Sequence, residues 1–116
     1  MLKHGWEAPA GRWAAAEIDR SEGGNTMAVG AIFEGQGVTQ AQYEQVRNEV
    51  APGNRLPQGM LYHAGGSTEA GWCVIEVWES QEALDRFFQE KLGQALQKAN
   101  INVQPRFFQV VNIMNS

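Results

Sequence analysis

Apolar and polar positions divide the chain into short segments, and four of these predict β-strands. Each one combines apolar, β-branched or aromatic residues and is bounded by turn-forming residues; the segments are 27–33, 60–64, 72–78 and 107–114. The sequence Glu-Gly-Gln-Gly at 34–37 predicts the turn after the first strand. Gly-Gly-Ser-Thr at 65–68 predicts a hairpin turn between the second and third strands.

Two further segments have the periodicity of helices. Thr39 and Gln42 form a capping box, which predicts a helix to about Val50. Ser80 predicts the start of a longer second helix, which ends near Asn100. Its apolar positions recur at three- and four-residue spacing: Leu84, Phe87, Phe88, Leu92, Ala95, Leu96 and Ala99. The order of elements is therefore β-α-β-β-α-β.

This order predicts the α+β class and, more narrowly, a ferredoxin-like βαββαβ fold. In that fold two helices cover one face of a four-stranded antiparallel sheet. We expect residues 27–116 to form this domain. Residues 1–26 contain Trp6 and Trp13 and a polar, glycine-rich stretch, so they are predicted to form an N-terminal extension, either flexible or docked onto the domain.

Successive side chains of the third strand point to opposite faces of the sheet. A first set is predicted to pack against the helices: Cys73, Ile75 and Val77. A second set is then predicted on the open face: Trp72, Val74, Glu76 and Trp78. With the hairpin turn centred on 67–68, His63 lies opposite Trp72 and shares the open face with Leu61, whereas a one-residue slip moves His63 to the helix side. Exposed tryptophans predict that two such faces pair and enclose a cavity.

Composition and charge exclude several classes of protein. The 116 residues are 43% hydrophobic and 19% charged, the balance of one soluble globular domain. Nine Lys and Arg against 13 Asp and Glu give a net charge of −4, which predicts no nucleic-acid or membrane partner. We find neither an apolar stretch long enough to span a bilayer nor a signal-peptide pattern, and the single cysteine, Cys73, suits a reducing compartment. The sequence therefore predicts a cytoplasmic protein.

The segment GWCVIEVWESQEA at 71–83, followed by Arg-Phe-Phe at 86–88, resembles the dimeric α/β-barrel superfamily. Within it, the segment is similar to small proteins of the antibiotic-biosynthesis monooxygenase-like (ABM) group. The sequences TQAQY at 39–43 and GMLYH at 59–63 fit the same pattern, so the resemblance covers about 27–114. It implies a homodimer whose two sheets pack into an α/β barrel. Each half then contributes a pocket for a small apolar or aromatic ligand, either between its sheet and helices or within the barrel.

The resemblance also implies a choice of chemistry. In the monooxygenase branch, dioxygen oxidises substrates such as polycyclic phenols without flavin or metal. In the haem-degrading branch, a histidine on the second helix ligates iron. This chain has only His4 and His63, and its predicted second helix has none, so the haem branch does not fit. We therefore expect no cofactor and no metal.

The candidate catalytic residues are His63 and Glu76, since histidine is the side chain best suited to proton transfer near neutral pH. The candidate ligand-binding residues are Leu61, Trp72, Val74 and Trp78. Several structural roles stay open: His63 bonded to Glu76 or to backbone, Glu76 paired with His63 or Arg106, Trp78 filling a core, and Tyr43 packing with its hydroxyl at the surface. The predicted function is small-molecule binding with cofactor-independent monooxygenase chemistry, and the alternative is a non-catalytic binding or structural dimer.

Overall fold

A computed structural model describes residues 28–114, which form one antiparallel sheet and two helices. The strands are β1 (Val29–Gln36), β2 (Met60–Ser67), β3 (Gly71–Trp78) and β4 (Pro105–Gln109). The first helix is α1 (Gln40–Val50), and a 3₁₀ turn, Pro52–Asn54, follows it. The second helix consists of α2 (Gln81–Phe87), a π-helical turn (Phe88–Leu92) and α3 (Gly93–Lys98). The predicted N-terminal extension, residues 1–26, lies outside the described residues.

The sheet has the strand order β2-β3-β1-β4, and every neighbouring pair is antiparallel. The predicted α+β class, with a four-stranded antiparallel sheet and two helices, is confirmed, and the arrangement is compatible with a ferredoxin-like fold. The core lies between the sheet and the helices, where Val29, Ala31 and Phe33 of β1 meet Val46 of α1 and Leu84 of α2. Within residues 28–114, neither helix is both long and apolar enough to cross a membrane.

Both helices begin where the sequence predicts, because side-chain caps satisfy their first backbone N–H groups. The Gln42 N–H donates to Thr39 Oγ1 at 3.1 Å, and the Thr39 N–H donates to Gln42 Oε1 at 3.0 Å, which completes the capping box. The Ala83 N–H donates to Ser80 Oγ at 3.1 Å. These bonds join residues three positions apart, so the local sequence determines where each helix begins.

The π-helical turn explains which residues of the second helix are buried. Phe87 and Leu92 both face the core although they are five positions apart, whereas Lys91, four positions from Phe87, is exposed. The Gly93 N–H donates to the Phe88 carbonyl, which closes the wider turn. One additional residue in this turn therefore brings two large apolar side chains to the same side.

The prediction of which side of β3 faces the helices was wrong. Glu76 is 5% exposed and Trp78 is fully buried, so their side of the strand packs against the helices. Ile75, with Cys73 and Val77, lies on the outer face and is 40% exposed. Both sides of β3 are apolar, so hydrophobicity alone does not determine the orientation. The tryptophan ring decides it, because it packs 5.0 Å from the Phe87 ring inside the core.

The register of the β2–β3 hairpin also differs from the prediction. His63 lies opposite Glu76, and it is Ser67 that lies opposite Trp72. The turn is shorter than predicted, because β2 continues through residues 65–67 and the chain reverses at 68–70. The glycine at 65 serves packing and not a turn: a Cβ there would lie 3.1 Å from the Tyr43 ring.

Candidate functional site

A cavity of about 210 Å³ lies between the sheet and the helices. Most of its wall is apolar and comes from every layer of the fold: Phe33, Val46, Val74, Phe87, Leu92 and Leu96. The cavity lies within one chain, on the helix side of the sheet, which is one of the two places that the resemblance implies for a pocket. Tyr43, His63 and Glu76 add polar groups to its wall.

A chain of polar contacts runs along this wall from the core. The Trp78 indole N–H donates to Glu76 Oε1 at 2.9 Å. The other carboxylate oxygen, Oε2, lies 3.3 Å from His63 Nδ1. The second ring nitrogen of His63, Nε2, lies 2.7 Å from the Tyr43 hydroxyl. Both oxygens of the buried Glu76 carboxylate therefore face a partner, and His63 contacts a polar group at each nitrogen.

Strand register and helix packing position these groups. His63 and Glu76 are direct cross-strand neighbours, and Trp78 lies two residues beyond Glu76 on the same side of β3. Tyr43 reaches the site from α1, and its ring lies over Gly65 of β2.

Aromatic contacts hold Tyr43 in this position. Its ring centroid is 5.0 Å from that of Trp72 and 6.0 Å from that of His63, with interplanar angles of 30° and 20°. The Tyr43 hydroxyl is therefore placed by ring packing as well as by its hydrogen bond.

The contacts favour one arrangement of protons. A carboxylate accepts hydrogen bonds, so the His63 tautomer with its proton on Nδ1 suits the contact with Glu76. Nε2 then accepts a hydrogen bond from the Tyr43 hydroxyl. Burial raises the pKa of Tyr43, and the Arg47 guanidinium offsets this only in part. Tyr43 therefore keeps its proton near neutral pH and is the donor to His63.

This arrangement can move a proton away from a bound ligand. A ligand hydroxyl that donates to the Tyr43 oxygen can pass its proton there while Tyr43 passes its own proton to His63 Nε2. The imidazolium that forms lies beside the Glu76 carboxylate, which stabilises its charge. His63 therefore acts on the ligand through Tyr43, since Tyr43 occupies its second nitrogen.

The structure brings together most of the residues that the sequence singled out. His63 and Glu76 are neighbours, while Trp72 and Val74 line the cavity. Trp78 lies in the core, where its indole N–H donates a hydrogen bond to Glu76. Leu61 is separate: it lies at an irregularity of β2, is half exposed, and is not part of the cavity wall.

Arg106, the other partner predicted for Glu76, forms an ion pair with a different residue. Arg106 lies 3.4 Å from Glu34, and both side chains are largely exposed. Glu76 contacts His63 and Trp78 instead. Of the two partners predicted for Glu76, His63 is therefore the one that the structure shows.

Sequence reasoning missed Tyr43, whose hydroxyl was predicted to lie at the surface and instead bonds to His63. It also missed Arg47 and Arg55, which line the cavity where it meets solvent. One signal was available for Arg47, because it follows Tyr43 by four positions and so shares its side of α1. The signal for Tyr43 was the glycine at 65, a position in a strand that leaves room for a ring.

Within residues 28–114, no group of three or more His, Cys, Asp or Glu side chains is placed to hold a metal ion. The chain matches no protein-family model, no curated protein and no solved structure.

Proposed function

We propose that the protein is a cytoplasmic homodimer that binds a small, largely apolar aromatic molecule and oxidises it with dioxygen, without a cofactor. The observation that carries this proposal is the polar chain from Trp78 to Tyr43, because it ends at the wall of an apolar cavity. Binding sites for small molecules combine an apolar wall with a few converging polar groups in this way.

The size of the cavity limits the ligand. A cavity of about 150 Å³ holds one benzene ring, while drug-sized sites occupy about 300–1,000 Å³. At about 210 Å³ this cavity fits a substituted single ring or two fused rings. Its aromatic and branched aliphatic lining favours a flat apolar body with a hydroxyl group directed at Tyr43.

The proposed reaction begins when a phenolic hydroxyl loses its proton to the Tyr43–His63 pair. The phenolate transfers one electron to dioxygen, and the phenoxyl radical and superoxide combine at a ring carbon to form a peroxide. The His63 imidazolium returns its proton through Tyr43 to the distal peroxide oxygen. Loss of water, with the hydrogen of that ring carbon, leaves a quinone, so one phenol and one dioxygen give one quinone and one water.

The test is a panel of one- and two-ring phenols added to the protein in an oxygen electrode. We expect at least one compound to consume dioxygen and to form its quinone in a one-to-one ratio, measured by absorbance. The same compounds without protein give the background rate. Absence of protein-dependent uptake across the panel would refute the oxidation.

A non-catalytic binding protein is the second candidate, and one observation favours it. Tyr43 already satisfies His63 Nε2 at 2.7 Å, so the polar chain is complete without a ligand. Calorimetric titration of the same panel separates the two functions. Compounds that bind in the cavity and consume no dioxygen identify a binding protein.

The outer face of the sheet supports the homodimer. Neighbouring strands place apolar side chains there: Ile32, Tyr62, Ile75, Val77 and Phe108. The Phe108 ring lies directly over Gly30, where a Cβ would overlap it, which gives this part of the face a flat aromatic surface. A continuous apolar patch of this kind marks a protein interface.

The change Ile75→Glu is expected to dissociate the dimer at micromolar concentration, because it places an unpaired charge in the centre of the outer face. Sedimentation velocity measures the result, and Gln45→Glu, which adds the same charge on the exposed side of α1, is the matched control. Wild-type protein that sediments as a monomer, or an Ile75→Glu variant that stays dimeric, contradicts the proposed interface.

A further inference from the structure

We propose that the ligand of the cavity carries a carboxylate, held at the cavity mouth by Arg47 and Arg55 while its aromatic body fills the interior. The inference rests on the proposed ligand-binding function and specifies the chemical class of the ligand. We define the mouth by four lining residues: Arg47, Asn54, Arg55 and Leu56. The last three of these are exposed to solvent.

The polar side chains of the mouth lie close together. Arg47 Nη1 donates to Asn54 Oδ1 at 3.5 Å, and Nη2 donates to Asn48 Oδ1 at 3.1 Å. The Arg55 guanidinium folds over Gly53, within 4 Å of where a Cβ would lie. The 3₁₀ turn after α1 therefore brings two guanidinium groups to one opening, and the side-chain hydrogen-bond partners of Arg47 there are neutral amides.

The described arginines divide into two kinds. Arg86 and Arg106 do not line the cavity, and each forms an ion pair with a glutamate. Arg47 and Arg55 form no ion pair with any residue from 28 to 114. Of the four arginines within residues 28–114, the two at the cavity are therefore the ones without a carboxylate partner from that part of the chain.

The cavity itself supplies no anion for these arginines. Glu76 is the only carboxylate in the described lining, and it is buried with its oxygens facing Trp78 and His63. An anionic ligand would pair with these two guanidinium groups, and a planar carboxylate can accept two parallel hydrogen bonds from one of them.

A carboxylate fits this mouth better than a phosphate does. The mouth lies at the C-terminal end of α1, where the helix dipole contributes partial negative charge. The two positive guanidinium groups can offset both this partial negative charge and the single charge of a carboxylate. A dianionic phosphate is repelled more strongly by the helix C-terminus. The mouth residues also include no helix N-terminus, the element that commonly binds phosphate.

The experiment compares three probes with the same two fused rings: 2-naphthoate, the neutral 2-naphthamide, and 2-naphthyl phosphate. Isothermal titration calorimetry on the full chain measures the affinity of each. We expect naphthoate to bind about tenfold more tightly than the amide or the phosphate. A hydrogen bond to a charged group contributes more binding free energy than one between neutral groups. We also expect the preference over the amide to shrink as salt rises from low to high concentration.

The variant Arg55→Gln should lower the affinity for naphthoate about fivefold or more and leave the affinity for the amide unchanged. Arg55 is the better choice because Arg47 lies in the last turn of α1 and also stabilises that helix. Arg86→Gln, which removes an arginine outside the cavity, is the matched control and should change neither affinity. A thermal midpoint equal to that of wild type verifies that the variants fold.

Each outcome has one meaning. Equal affinities for naphthoate and naphthamide, or equal losses of both in Arg55→Gln, overturn the carboxylate inference and leave the proposed ligand binding intact. Tightest binding of the phosphate also overturns it, in favour of a phosphorylated ligand. Failure of all three probes to bind overturns the proposed ligand binding itself.

Discussion

Replacing His63 by alanine is expected to lower the turnover of an accepted phenol by about 10²-fold or more, with a smaller change in ligand affinity. The imidazole receives the proton that Tyr43 takes from the ligand, and Glu76 stabilises the charge that results. Without it, no other group within residues 28–114 is hydrogen-bonded to the Tyr43 hydroxyl to take this proton. Initial rates of oxygen uptake and calorimetric affinities, measured for the same compound, separate the two effects.

Two further variants define the route of the proton. Tyr43→Phe keeps the ring in contact with Trp72 and His63 but removes the hydroxyl, so we expect a loss of turnover close to that of His63→Ala. Tyr62→Phe removes a hydroxyl on the outer face and should leave turnover unchanged. Full activity in His63→Ala, or in Tyr43→Phe, would rule out the proposed relay.

Replacing Trp78 by alanine is expected to lower the free energy of unfolding by about 3–5 kcal/mol. The ring is fully buried against Phe87, and its indole N–H supports the buried Glu76 carboxylate. The variant therefore creates a cavity and removes a hydrogen bond from a buried charge. Urea denaturation followed by circular dichroism measures the loss.

Trp78→Phe separates the two contributions. It retains most of the apolar contact and leaves one oxygen of Glu76 without its donor, at a cost of about 1–3 kcal/mol. A loss in Trp78→Ala no larger than the loss in Trp78→Phe would mean that packing of the ring contributes little, contrary to its position in the core.

Local signals predicted the elements of this fold well. The Thr39 capping box and the Ser80 cap are short-range interactions, so the sequence around them determines where each helix begins. The orientation of β3 is different, because apolar side chains occupy both of its sides. Only the partners supplied by the rest of the fold, such as Phe87 against Trp78, decide which side is buried.

The sequence predicted only the part of the site that depends on the strands, and not the part that depends on how a helix packs against them. The predicted register placed Trp72 opposite His63, and the structure places Glu76 there, a shift of 76 − 72 = 4 positions. An even shift preserves which residues share a face, so His63 and Glu76 remained on one side together. Tyr43 could not be placed, because its contact with His63 depends on how α1 packs across the sheet.

The wide turn at Phe88–Leu92 makes the second helix tolerant of a change in length at one place. Each residue of an α-helix advances the side-chain direction by about 100°, and the wide turn accommodates one additional residue without changing the direction of the side chains that follow. Deleting one residue within the turn would leave Phe87 and Leu92 four positions apart, as in a regular α-helix, so Leu92 and Leu96 would still face the cavity. A deletion elsewhere between Phe87 and Leu96 would instead turn the following side chains away from it.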